Sequence, residues 1–144
     1  MTLEITQVDF LGRLLWALAI ISGGIGLYEL LNRWILLRAR GKSLGLESAL
    51  PGVPLLLYFT TPTCAPCKTV QRPAIRRLGE QLGDRLQVIE VDAAARPDLA
   101  SHWGVMSVPT TFLIDASRRP RHVNHGVATL DKLLKQFNDL EKMN

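Results

Sequence analysis

The chain has 144 residues, of which 47 % are hydrophobic, 21 % are charged and only two are cysteine. That length holds one modest domain, the balance excludes a disordered tail or a collagen-like repeat, and two cysteines exclude a disulfide scaffold and a four-thiolate zinc site. A formal charge of +4 and a pI of about 9.4 admit either nucleic acid or an anionic membrane surface. The mean hydropathy of +0.13 is high for a soluble domain, and the apolar residues are concentrated at one end.

Phe10 to Leu37 reads FLGRLLWALAIISGGIGLYELLNRWILL, with no charge between Leu14 and Tyr28. A bilayer core needs about 20 mainly apolar residues as helix. The run predicts one membrane-spanning helix over 10–37, with Arg13 and Arg33 reaching towards headgroups. Trp16, Tyr28 and Trp34 then lie towards the two ends, where amphipathic rings prefer to sit. A buried core helix and a cleaved secretory signal are the competing readings. The segment is long for the first and is followed by a polar stretch. It begins with Glu4 and Asp9 and leads into Arg38, Arg40 and Lys42, the reverse of the second. An uncleaved single-pass anchor over 1–38, in contact with membrane lipid through residues 10–37, is the expectation. The Lys/Arg excess on the C-terminal flank (Arg33, Arg38, Arg40, Lys42) places the rest of the chain in the cytoplasm.

Residues 39–52 have a linker composition that ends in a Pro/Gly cluster. Beyond it the period changes. Val53 to Phe59 is a short continuous apolar run, as for a strand buried on both faces. Cys67, Val70, Ala74, Ile75, Leu78 and Leu82 recur at helical spacing, so one helix is expected from about Cys64 to Leu82. Leu86 to Val91 reads as a second buried strand, and a short helix is expected over Pro97–Trp103. Strands follow at Thr110–Ile114 and, at an edge, Arg121–Asn124. Leu130, Leu133, Leu134, Phe137 and Leu140 then form the apolar face of a terminal helix. The order predicts an α/β domain with a mixed sheet over 53–144.

Cys64-Ala65-Pro66-Cys67 falls where the first strand gives way to the helix. A thiolate at a helix N-terminus meets unpaired N–H groups and the positive end of the macrodipole, which lower its pKa. Pro66 suits a first helical turn, residues three apart are neighbours there, and Lys68 adds positive charge. A C-x-x-C beside a βαβ pattern is a specific redox signal. The alternatives are two structural cysteines, or half of a metal site drawing on His102, His122 or His125, none of them closely paired.

Phe59-Thr60-Thr61-Pro62-Thr63-Cys64-Ala65-Pro66-Cys67-Lys68 resembles the active-site strand, loop and helix of the thioredoxin family. Val91-Asp92 resembles the end of that family's next strand, and Trp103 to Thr110 the stretch that carries its cis-proline. The resemblance runs from about Val53 to the C-terminus. It implies a thioredoxin-like fold and thiol–disulfide exchange, with Cys64 as nucleophile and Cys67 as resolving cysteine. It also implies a cis Val108–Pro109 bond beside the disulfide, where an extended substrate could pair. By the residues alone Pro109 could equally be a trans proline at a strand start. The implied partners are protein disulfide substrates and an electron donor, with no metal, no organic cofactor and no nucleic acid. Ala65-Pro66 is close to the Gly-Pro of reducing members and favours a reductase. Many tethered relatives in bacteria face the outside, which stands as the alternative to the cytoplasmic side.

This sequence departs from the family pattern in several places. Thr63 replaces the usual tryptophan and Ala65 the usual glycine. Tyr58 stands where relatives carry a buried aspartate, and tyrosine is a poor proton acceptor at neutral pH. Glu90 is a weak substitute, more simply read as a solvated strand-end glutamate. Pro73 comes one position later than the helix proline of most relatives, and the linker leaves little room for the family's first strand and helix, so the core is expected to be trimmed. The rival function is a tethered metal-handling or non-catalytic binding module using the same thiols.

Overall fold

The computed structural model describes residues 2–39 and 45–143; Arg40 and Lys42 of the expected linker lie outside them. The chain divides into two compact units, residues 1–34 and 35–144.

The first unit is a single helical rod. Helix α1 runs Thr2–Ala39, longer at both ends than the apolar run itself. Within it Phe10–Leu37 is long and apolar enough to cross a membrane, and none of its apolar window is buried. A helix satisfies its own backbone hydrogen bonds, so it can stand with apolar side chains exposed all round where a strand cannot.

The second unit is a four-stranded mixed sheet flanked by helices. The elements are β1 (Leu55–Thr60), a helical segment with a π-turn at Cys67–Gln71 continuing as α2 (Arg72–Leu82), β2 (Gln87–Asp92), α3 (Pro97–Trp103), β3 (Thr110–Ile114), β4 (Pro120–His125) and α4 (Leu130–Lys142). The strand order is β2-β1-β3-β4. β1 is parallel to β2, as the helical crossover between them requires, and antiparallel to β3. β3 and β4 form a hairpin whose register shifts between Leu113 and Ile114. Pro120, with no N–H to give the ladder, sits at that irregularity. In the hairpin turn the buried Asp115 carboxylate accepts from the Arg119 N–H and from Arg121 Nε, each within 2.8 Å. Burial pushes the Asp115 carboxyl up, but these donors together hold it below the usual carboxylate value.

The alternation of β1 explains its unbroken apolar run. Leu56 and Tyr58 face one core with Leu113, Ile75, Leu78, Leu133 and Phe137, between the sheet and helices α2 and α4. Leu55, Leu57 and Phe59 face a second core with Phe112, Ile114, Leu99 and Trp103. There the Trp103 and Phe112 ring centroids lie 5.2 Å apart. Both cores draw apolar partners from the same strand, which is why β1 reads as a continuous apolar run up to Thr60, with the Tyr58 hydroxyl its one polar group before that end.

Two expectations need correction. β2 is not buried on both faces: it is an edge strand, with Val88 and Glu90 exposed and only Val91 buried. Gln87 and Glu90 interrupt the stretch Leu86–Val91, but they do not fix which strand lies outermost, because order in the sheet is set by pairing. Nor is the helix after Cys64 regular. Its π-turn is wider, so the buried residues run Cys67, Gln71, Ile75, Leu78 and Leu82, while Val70 is exposed.

Candidate active site

β1 ends at Thr60 and the chain turns at once, the Cys64 N–H donating to the Thr61 carbonyl at 3.2 Å. The helix starts immediately after Cys64. Cys64 and Cys67 are joined by a disulfide with a Cα–Cα distance of 5.3 Å. The Cys67 N–H donates to Cys64 Sγ at 3.2 Å, so an unpaired helix-terminal N–H points at that sulfur. Cys64 is half-buried and reachable, whereas Cys67 is completely buried. Thr63, Ala65, Pro66 and Lys68 are all exposed around the pair. The Ala65 carbonyl accepts from the Thr69 hydroxyl at 2.9 Å.

Tyr58 lies beneath the pair, 1 % exposed, and donates its hydroxyl to the Cys67 carbonyl at 3.3 Å. Burial raises its pKa above the usual value, with Glu90 adding to the rise and the Thr60 hydrogen bond and Arg72 opposing it. Tyr58 is therefore a neutral hydrogen-bond donor here, and no proton acceptor. Glu90, beside Tyr58 in register, is taken up by Arg72 at 2.6 Å. Both partners of that ion pair are about half exposed, so it contributes little to stability. It is a surface pair and supplies no buried carboxylate.

The Val108–Pro109 bond, just before β3, is cis. Pro109 is buried, and Val108 packs against the same core as Cys64. The Pro109 carbonyl accepts from the Gly126 N–H at 2.8 Å. Gly126 has φ of +87°, a left-handed conformation that favours glycine.

Gln71 is a component that the reading of the residues passed over. It is completely buried, and its amide grips both backbone groups of Ala128: Oε1 accepts from the Ala128 N–H at 2.7 Å and Nε2 donates to the Ala128 carbonyl at 3.2 Å. Its place follows from the π-turn, in which the Arg72 N–H donates to the Cys67 carbonyl five residues back. The late position of Pro73 was the one sequence sign of this extra residue.

Of the histidines, His122 and His125 lie on β4, and His102 packs edge-on to Trp103 with centroids 6.4 Å apart. Among the described residues no group of three His, Cys, Asp or Glu side chains comes together that could hold a metal ion.

A four-stranded mixed sheet, a disulfide at the start of a helix and a cis-proline at the head of β3 together define a thioredoxin-like fold carrying a redox-competent cysteine pair. Comparison with known proteins agrees. The thioredoxin family model matches residues 47–139. Thioredoxin 1 of Synechococcus elongatus is 32 % identical over 88 residues, covering 57 % of this chain and 81 % of that protein. Thioredoxin of Bacillus subtilis is 33 % identical over 60 residues, 42 % of this chain and 57 % of its own length. Among solved structures, chloroplastic thioredoxin z superposes with a TM-score of 0.62 at 20 % identity, covering 71 % of this chain and 90 % of that one. Thioredoxin-2 of a malaria parasite superposes with a TM-score of 0.57 at 22 % identity, over 60 % of this chain and 82 % of that one; at such identities these two speak to the fold alone. The chain belongs to the thioredoxin family, whose members are thiol–disulfide oxidoreductases.

Proposed function

We propose that this protein is a membrane-tethered reductase of protein disulfides that works through the Cys64/Cys67 dithiol. The observation that carries the reading is the pairing of a reachable Cys64 with a fully buried Cys67 at a helix N-terminus. In the dithiol form the Cys64 thiolate attacks one sulfur of a substrate disulfide. The substrate S–S bond breaks, its other sulfur leaves and takes a proton, and a mixed disulfide to Cys64 forms. Cys67 then gives up its proton and attacks Cys64 Sγ, the mixed disulfide breaks, and the second substrate thiol departs. Two electrons have passed to the substrate, and a dithiol donor must return the Cys64–Cys67 disulfide to the reduced state.

Thr63, Ala65, Pro66 and Lys68 shape the mouth around Cys64, and Tyr58 supports the Cys67 carbonyl from below. An extended substrate segment pairs with the backbone at Val108 and Pro109. The direction of electron flow rests on the likeness of Ala65-Pro66 to the Gly-Pro of reducing relatives. Tethering rests on Phe10–Leu37, and the cytoplasmic side on the Lys/Arg count. The reaction needs neither metal nor organic cofactor.

The test is insulin reduction by the full chain in detergent micelles with a small dithiol as donor. Cys64→Ser should abolish turnover, and Cys67→Ser should accumulate the mixed disulfide. Tight stoichiometric metal binding without insulin reduction would overturn the reading in favour of a metal-handling module. Labelling of the reduced protein by a membrane-impermeant maleimide in intact cells would place the dithiol on the outer side instead.

A further inference from the structure

The two parts of the site come from distant segments. The cysteines ride on the helix after β1, whereas Val108 and Pro109 precede β3. Between them lies the segment Gly126–Ala128, pinned at both ends. Its Gly126 N–H donates to the Pro109 carbonyl at 2.8 Å, and its Ala128 N–H and carbonyl are both held by Gln71. Val127, between the pins, is exposed.

Gln71 in turn is the last residue of the π-turn that begins at Cys67. The Cys67 carbonyl at the head of that turn accepts from both the Arg72 N–H and the Tyr58 hydroxyl. Cys67 is thus linked to Pro109 by alternating stretches of backbone and hydrogen bonds: along the π-turn to Gln71, by the Gln71 amide to Ala128, along the chain to Gly126, and by the Gly126 N–H to the Pro109 carbonyl. Gln71 is wholly buried, and the hydrogen-bond partners of its side-chain amide among the described residues are the two groups of Ala128. An apolar side chain of the same size would fill the space and leave both Ala128 groups buried and unpaired.

We propose that Gln71 is a positioning residue that sets the distance between Cys64 and the Val108–Pro109 substrate strand, and thereby governs binding of protein disulfides. The inference rests on the reductase reading above. Gln71 touches no reacting atom. Without it the 126–128 segment, and Pro109 with it, is free to shift relative to Cys64. A protein substrate must engage the sulfur and the strand together and feels that shift, whereas a small disulfide needs only Cys64.

The experiment compares insulin with bis(2-hydroxyethyl) disulfide as substrates of the full chain in detergent micelles. Wild type, Gln71→Leu and Gln71→Glu are assayed, with thermal unfolding of each followed in parallel. Gln71→Leu should raise KM for insulin about tenfold, with kcat and small-disulfide reduction within about twofold of wild type. Gln71→Glu provides the conservative control. Its ionised carboxylate accepts from the Ala128 N–H but cannot donate to the carbonyl; when protonated it does both, and burial raises its pKa. The KM for insulin should therefore recover towards wild type as pH falls in Gln71→Glu and stay high in Gln71→Leu. Equal losses on both substrates, or an unchanged KM for insulin, would overturn the inference while leaving the reductase reading intact. Wild-type failure on both substrates would overturn the reductase reading, and this inference with it.

Discussion

Phe10–Leu37 and Leu55–Thr60 are both apolar runs, yet none of the first's apolar window is buried while the second buries all six residues. The difference lies in the backbone. Helix α1 bonds its own N–H and C=O groups, so only its side chains need a suitable solvent, and a bilayer provides one. Strand β1 cannot, and must have neighbours on both edges, β2 and β3. Once paired on both edges its side chains are divided between two cores, and both demand apolar residues. Similar composition thus predicts opposite sensitivities to the same kind of change.

The sharpest way to break this comparison is to place one charge in each run. Leu57→Arg puts an unpaired cation among Leu55, Phe59, Phe112 and Trp103, at a cost of several kcal/mol. The expected outcome is loss of the cooperative thermal transition of the domain. Leu57→Ala should lower stability by about 2–5 kcal/mol, measured by urea unfolding, with the fold retained. Ile21→Arg should leave that transition unchanged. Under the proposed anchoring it costs about 3 kcal/mol of membrane insertion, seen as partial release from the membrane fraction after alkaline extraction. An unchanged distribution would count against the anchor.

The edge strand supplies a smaller contrast within the sheet. Val88 is exposed on β2, and Val88→Ala should change stability by only about 0.5 kcal/mol. A loss as large as that of Leu57→Ala would mean that β2 is covered in the working protein.

The smallest effect concerns pH. Burial holds His122 below its usual value, with Arg121 adding to this and Asp139 opposing it, and burial does the same to His125. The unfolded chain therefore binds protons that the folded chain refuses as pH drops below about 6.5. Stability should be level above that pH and decline below it, and His122→Gln should flatten the decline. Asp115 works in the other sense: its contribution is complete above the unfolded carboxylate value and is lost only as pH falls through its lower folded one. Thermal midpoints from about pH 2 to 8 would separate the two, the histidine decline setting in below about 6.5 and the Asp115 loss only in the acid range below the usual carboxylate value.

Much of the fold was legible because the signals were local. The apolar period changes from all-round in α1 to continuous in β1 and to one face in α4, and each observed element follows its pattern. Cys64 and Cys67 were legible because three-residue spacing at a strand–helix junction is itself the geometry that closes the pair. The cis bond at Pro109 rested on family resemblance, since the residues alone allow a trans proline. The exposure of β2 was legible only in Gln87 and Glu90, because its place at the sheet edge is set by which strands pair. Gln71 was hidden for a similar reason: a glutamine among helical residues reads as surface until a widened turn rotates it inward.

The sequence by itself determined the division into an apolar rod and an α/β domain, and it determined the place of the dithiol, because periodicity and close spacing act within a few residues. Tertiary structure alone decided which strand lies at the edge, what takes up Glu90, and how the redox helix is tied to the cis-proline segment. These depend on partners far apart in the chain, Arg72 with Glu90 and Gln71 with Ala128, and such pairings exist only once the sheet has brought the segments together.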